Sequence, residues 1–350
     1  MAGTWTNQNK ILPGAYVNFL TNAPLSITPG DRGIVMLLQE MSVGAAGEMY
    51  TITSTDTSQY PIGVTKADKV MVGEALKNAR VVIVFNLGQI TPHSHEIIEN
   101  ALIALKTVKF DVLCYPYSAE DHYNEQGPIM TWVNSMREEE GVKIQYVTSN
   151  FGGDNEACIN VMSGLILADG TTLTPEKASA WVAGATAGAT VSQSNTGKIY
   201  AGAIDVVPRL SKTEMEAAII AGKFIFKVDA AQNVTVVSDI NSLITTTEAK
   251  GKQFKKNRVI RILDGINNDI VEIFESNYVG KVNNNDTGRS LLRATLVEYF
   301  NDLQRLSAIQ NFIADDVTVV EGSNSDAVVI NCYIQPVDSV EKMYITVNLA

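Results

Sequence analysis

The side chains most able to do chemistry in this sequence are its three histidines, His93, His95 and His122. An imidazole can ligate a metal or move a proton near neutral pH, but a metal site needs further His, Cys or carboxylate ligands at matching spacing. His93 and His95 flank Ser94 at the start of an apolar-periodic run, and helical positions two apart do not face the same way. They read as solvated helix-start residues. His122 lies in AEDHYNEQG, a polar stretch that reads as surface loop. The three cysteines, Cys114, Cys158 and Cys332, are far apart and have no CxxC spacing. They are expected to be buried free thiols in a reducing compartment. The acid clusters Asp315–Asp316 and Glu138–Glu140 are sequence neighbours, a pattern of solvated faces rather than of an acid/base dyad.

Neither a GxSxG elbow nor a GxxxxGK[ST] phosphate loop occurs. The run WVAGATAGATVSQSNTGKIYAGA, 181–203, is rich in glycine but lacks the GxGxxG order, and it follows a helical opening where a phosphate loop follows a strand. Gly184 and Gly188 are better explained as places where a helix packs closely. No catalytic, cofactor-binding or metal-ligating residue is therefore assigned, and no cofactor is expected. The competing expectation is an α/β cytoplasmic enzyme whose groups converge only in the folded chain.

One charge feature departs from the background. The segment KGKQFKKNRVIR carries Lys250, Lys252, Lys255, Lys256, Arg258 and Arg261 with no acid, in a chain of 350 residues and net charge −11. It predicts either a solvated basic helix start or a docking patch for an acidic partner surface. The acidic balance argues against nucleic-acid binding, whose affinity rests on basic surface. No run reaches the roughly 18 apolar residues of a membrane span. The N-terminus lacks the basic start and apolar core of a signal peptide, so synthesis in a cytoplasm without cleaved-signal export is expected.

These residues must be held by an α+β, multidomain chain. The runs GIVMLL (33–38), MYTITS (49–54) and VVIVFN (81–86) predict short strands between turn residues, with a helix over Asp68–Asn78; residues 21–88 are read as a β-sandwich-like unit. Over 89–238 the order becomes helix (93–106), strand (110–115), helix (127–140) and strand (143–149), which implies a parallel sheet covered by helices. A helix opened by Thr174 and Pro175, another over 212–222 ended by Gly222, and a hairpin over 224–237 complete this α/β region. From 239 to 338, Val259, Leu263, Ile266, Ile270 and Ile273 form one stripe, and Leu292, Leu296, Tyr299, Leu303 and Leu306 form another. These predict an αα-hairpin followed by strands over 317–320 and 327–334.

Both ends of the chain are unusual. In EKMYITVNLA, Met343, Ile345 and Val347 alternate with Tyr344 and Thr346, and in PGAYVNFL, Ala15, Val17 and Phe19 alternate with Tyr16 and Asn18. Residues 1–20 and 339–350 are expected to be strand arms. Terminal strands not blunted by charge or proline are templates for pairing with another chain. The open edges of the C-terminal sheet are the expected acceptors, with Thr21–Pro29 and Asn331–Ser339 as hinges.

Six segments, in register over the whole length, carry a family likeness: LPGAYVNF, WVAGATAGATVSQSNTGKIYAGA, VVSDINSLIT, KKNRVIRILDGI, YVGKVNNNDTGR and QPVDSVEKMYITVN. The chain resembles the contractile phage tail sheath proteins, most closely the short sheaths of defective-prophage and R-type bacteriocin particles of Gram-positive bacteria. The resemblance implies a subtilisin-like α/β middle domain without a triad, and a C-terminal domain near an inner tube. It further implies helical assembly with other sheath subunits, contact with the tail tube, baseplate and tail terminator proteins, and no direct membrane insertion. A component of a phage tail or tail-like particle, assembled in the bacterial cytoplasm and released by lysis, is the expected setting. On this likeness the basic run 250–261 and the αα-hairpin are the expected tube-facing elements.

Overall fold

The computed structural model describes residues 32–89, 95–118 and 124–347. The expected N-terminal arm, including Ala15, Tyr16, Val17, Asn18 and Phe19, lies outside the described residues, as do the hinge Thr21–Pro29, His93 and His122.

A seven-stranded sheet organises the first two thirds of the chain. Its strands are β1 (Ile34–Gln39), β2 (Met49–Ile52), β3 (Val81–Asn86), β4 (Val112–Cys114), β5 (Gln145–Ser149), β6 (Cys158–Val161) and, entered later, β10 (Lys223–Phe224). The spatial order is β10-β6-β5-β4-β1-β3-β2, parallel throughout except for β2, which runs antiparallel to β3 at the edge. Apolar residues point to both faces. Val35, Leu37, Val82 and Val84 face helices α1 (Lys66–Leu76) and α4 (Pro175–Gly188), whereas Met36, Leu38 and Phe85 face α2 (His95–Leu105) and α3 (Gln126–Glu138). A strand buried on both faces must be apolar without alternation, and IVMLLQ and VVIVFN are such runs.

This corrects the expectation of a separate β-sandwich-like unit over 21–88. Within the described residues, its three strands belong to the same sheet as the middle region, and α1 makes the connection from β2 to β3 on one face. Glycine and proline punctuation suits tight all-β turns and βα connections alike. The uninterrupted apolar runs were the better signal, because a sandwich strand exposes alternate residues.

Helix α4 lies against α1 at very close range. A Cβ built on Gly184 would stand 2.2 Å from the Ala75 carbonyl oxygen, and one on Gly188 1.9 Å from that of Asn78. The helix starts behind Thr174 with Pro175 in its first turn. Three shorter strands, β7 (Gly164–Leu167), β8 (Thr172–Leu173) and β9 (Ala203–Val207), form a second sheet in the order β8-β7-β9. Helix α5 (Lys212–Ile220) ends at Gly222, whose φ is +68°. The hairpin of β11 (Phe226–Val228) and β12 (Val234–Val236) packs its aromatic side chain Phe226 on Trp181 and Tyr200.

The C-terminal unit consists of α6 (Asn257–Ile273), a π-helical turn at Phe274–Tyr278, and α7 (Asp286–Arg305). Strands β13 (Ile309–Gln310) and β16 (Gln335–Pro336) pair antiparallel, as do β14 (Val317–Glu321) and β15 (Val328–Cys332). Leu292, Leu296, Tyr299 and Leu303 are buried against Ile262 and Phe312, while Leu306, the last residue of the expected stripe, is exposed.

Candidate functional site

A contiguous run of exposed apolar residues lies at the C-terminal end. Residues 341–347 form no strand within the subunit, and Met343, Tyr344, Ile345 and Val347 are 76%, 90%, 72% and 76% exposed. Contiguous exposed apolar side chains mark an interaction surface. The hairpin β14–β15 is two-stranded, so each of its strands has a second backbone edge without a strand partner among the described residues. Val320 and Val329 on it are 51% and 46% exposed. An unpaired apolar segment and unpaired sheet edges are complementary chemistries: the backbone groups of one satisfy those of the other.

The expected hinge at Asn331–Ser339 is displaced. Asn331 and Cys332 lie in β15, Gln335 and Pro336 in β16, and the Val337 amide donates to the Ala308 carbonyl at 2.9 Å. Glu341 is held as well, accepting from Lys256 Nζ, from Thr196 Oγ1 at 2.8 Å and from Ser339 Oγ at 3.3 Å. The tail is bonded to the body as far as Glu341, and Lys342–Val347 are all exposed.

The basic run does not form a single solvent-facing patch. Lys250 pairs with Glu156 at 2.6 Å, Lys255 donates to the Ile244 carbonyl at 2.8 Å, and Lys256 pairs with Glu341. Arg258 is buried and donates to the Ser307 carbonyl at 3.1 Å. Arg261 is fully buried beside Asp239 (3.4 Å) and donates to the carbonyls of Gln193 (2.7 Å) and Thr186 (3.3 Å). Of the six, only Lys252 is exposed. The physical reason is that a buried charge must be paired, and the acceptors lie far along the chain, out of reach of any reading of local spacing.

Further buried polar contacts fasten α6 to the α/β unit. Arg137 on α3 makes a bidentate pair with Asp264 at 2.7 and 2.8 Å and donates to the Ile144 carbonyl at 2.8 Å. Asn268 accepts from the Lys143 amide at 2.9 Å and donates to the Lys143 carbonyl at 2.8 Å; Asn267 donates to the Gly141 carbonyl at 2.7 Å. This face of α6 is committed to its own subunit.

Other titratable groups are engaged structurally. His95 bonds Glu125 at 2.9 Å, which raises its pKa, and Glu99 stands 3.4 Å away. Burial pushes the thiols of Cys114 and Cys158 up to about 12. A cavity of about 660 Å³ lies between the α/β unit and α6, and several of the charges that line it are paired. Asp111 accepts from the Gly33 and Ile34 amides at 2.8 and 2.9 Å, and Lys109 pairs with Glu272 at 2.6 Å. Among the described residues there is no group of His, Cys, Asp and Glu that could hold a metal, and no helix is long and apolar enough to cross a membrane.

A body whose basic run is mostly paired within the subunit, and whose apolar segment 343–347 is exposed, has the features of an assembly subunit. The comparisons agree. Residues 32–87 match the tail sheath protein Gp18 domain III N-terminal region, 93–242 the phage tail sheath protein central domain, and 249–350 the phage tail sheath C-terminal domain. The sheath tail protein of Desulfitobacterium hafniense superposes with a TM-score of 0.83 at 32% identity, over 95% of this chain and 99% of that one. The sheath tail protein of Listeria innocua does so at 0.80 and 28%, over 92% and 96%. The chain belongs to the phage tail sheath proteins.

Among curated relatives, the phage-like element PBSX protein XkdK of Bacillus subtilis is 37% identical over 256 residues, 71% of this chain and 54% of that protein. The chain thus spans about half the length of the curated relatives it matches. The contracted helical sheath of the anti-feeding prophage shares the fold, with a TM-score of 0.74 at 14% identity. The matched family domains and the solved structures named here are described as sheath proteins.

Proposed function

We propose that this chain is the structural subunit of a contractile tail sheath: it polymerises helically around an inner tube and contracts by subunit rearrangement, driving the tube through a target cell envelope. The observation that carries the reading is the exposed segment 342–347, in a protein whose family is that of tail sheaths. In this reading Met343, Tyr344, Ile345, Thr346 and Val347 pair with the β14–β15 hairpin of a neighbouring subunit, and Ala15, Tyr16, Val17, Asn18 and Phe19 supply the second arm. Subunits linked in this way make heterologous contacts that propagate without closing. Each backbone hydrogen bond contributes about 0.5–1.5 kcal/mol net, so one arm is a modest tether and a lattice of them is a continuous mesh.

The three-layer α/β unit is consistent with a subtilisin-like middle domain, an architecture that does not carry the activity with it. Contraction is then rigid-body rotation of subunits from a metastable packing to a tighter one, with no nucleotide consumed. For the tube, the reading leaves the αα-hairpin of α6 and α7, with Lys252 the member of the basic run open to solvent. The particle is a phage tail or an R-type bacteriocin, assembled in the bacterial cytoplasm with baseplate and terminator proteins and released by lysis.

Electron microscopy of the purified protein provides the test. Helically striated tubes are expected, and a variant lacking residues 342–350 should fold, stay soluble and form none. Tubes from the truncated chain would overturn the strand-pairing mechanism.

A further inference from the structure

We propose that Glu341 is the pivot of the C-terminal arm: it fixes the point and direction at which residues 342–347 leave the subunit, and so acts as a positioning residue for their pairing with a neighbour. This rests on the strand-pairing reading above. Its carboxylate joins parts of the chain that are distant in sequence. Lys256 stands at the N-terminal end of α6 and is bridged to Ile240. Thr196 comes from the glycine-rich run of the α/β unit.

The Thr196 hydroxyl accepts from the Asp239 amide at 2.8 Å, which orients its own proton to Glu341 at 2.8 Å. Asp239 is itself immobilised: it is buried and accepts from the Asn195 amide and from Asn257 Nδ2, both at 2.9 Å. Burial opposes ionisation of Glu341, but the bonds from Lys256 and Thr196 outweigh it and hold its pKa below the ordinary glutamate value.

The consequence is geometric. Side-chain exposure is 16% at Glu341 and 23% at Lys256, yet every residue from Lys342 to Val347 is exposed. Val340, just before Glu341, is 88% exposed, so the Glu341 carboxylate is the last point among the described residues at which the tail is bonded to the body. A segment launched from a fixed root samples less volume than one launched from a swinging root, and its effective concentration at the neighbour's edge is higher. When subunits rotate, the arm must bend at 342 or beyond, because 335–341 turn with the body.

The full chain tests this. Glu341→Ala and Lys256→Met should leave the melting temperature within about 2 °C of wild type. Each should raise the critical concentration for tube growth, measured by sedimentation, roughly tenfold, the scale of one charge-assisted hydrogen bond. The swap Glu341→Lys with Lys256→Glu should restore it to within about threefold, a recovery that simple loss of local packing would not give. If Glu341→Ala polymerises at the wild-type concentration while the chain lacking 342–350 does not, the pivot is refuted and strand pairing stands. If the truncated chain also polymerises, the reading beneath the pivot fails first. A swap no better than either single variant also refutes the pivot.

Discussion

Asp264→Asn tests how firmly the C-terminal unit is fixed to the α/β unit. Asp264 and Arg137 have side-chain exposures of 5% and 10% and meet in a bidentate pair. Asparagine keeps the shape and one acceptor but removes the charge, leaving the guanidinium with the Ile144 carbonyl as its other acceptor. Removing one partner of a buried ion pair costs about 3–5 kcal/mol, because the other charge stays desolvated and uncompensated. Unfolding entropy of about 2.1 cal/mol/K per residue over 350 residues makes each kcal/mol worth about 1.4 °C. The melting temperature should therefore fall by ~4–7 °C in a thermal-unfolding assay. The double variant Arg137→Met with Asp264→Leu leaves no stranded charge and should regain most of that loss. A fall of under about 1 °C for Asp264→Asn, or a double variant less stable than the single one, would show that the pair does not hold α6 in place.

Two further outcomes are expected. Gly184→Ala gains about 1 kcal/mol of helix propensity, yet its Cβ would stand 2.2 Å from the Ala75 carbonyl; overpacking of about 1–3 kcal/mol or more should win, and an unchanged or higher melting temperature would contradict the close approach of α4 to α1. Asp68 caps α1 with Thr65 and accepts from the Ser42 amide at 2.8 Å. Its burial opposes ionisation, but the Ser42 and Thr65 bonds outweigh this and lower its pKa. Its stabilisation is therefore present above the unfolded value of about 3.9 and lost as pH falls through the lower folded value. Asp68→Asn should cost about 1 kcal/mol at pH 7, with the gap to wild type closing below about pH 4 in denaturant titrations; a gap that is constant with pH would contradict the shift.

The sequence carried some of this structure and concealed the rest for identifiable reasons. Helices were legible because their signals are local: Thr174 and Pro175 start α4, Gly222 ends α5, and the apolar stripe of α7 appears as expected except at Leu306. The spacing of Gly184 and Gly188 likewise pointed to close packing, which the contact with α1 supplies. Sheet membership was not legible. The unbroken apolar run VVIVFN points to a strand buried on both faces, but only its partner β1, more than forty positions upstream, shows that it joins the sheet of the middle region. The basic run misled for a related reason. Composition counts charges, but the acceptors Asp239, Glu156 and Glu341 are brought to it by the fold, so residues that read as a surface are mostly internal fastenings.

Those fastenings alter what the exposed segment can mean. If α6 were loosely attached, rotation of the subunit in a lattice could be absorbed between its units, and the terminal arm would need no freedom of its own. The buried Arg137–Asp264 pair and Arg261 close that route, because separation would strand a charge away from water, and the part-buried Asn268–Lys143 bonds add to it. The glutamate at 341 closes the next one, since it commits the chain to the same body through Thr196 and Lys256. In the strand-pairing reading proposed above, bending of the C-terminal tail then falls to the stretch beginning at Lys342, whose apolar side chains are exposed. A stiff subunit with a short compliant link can transmit rotation to its neighbour while backbone pairing persists, because the bending occurs between two sets of hydrogen bonds rather than within either.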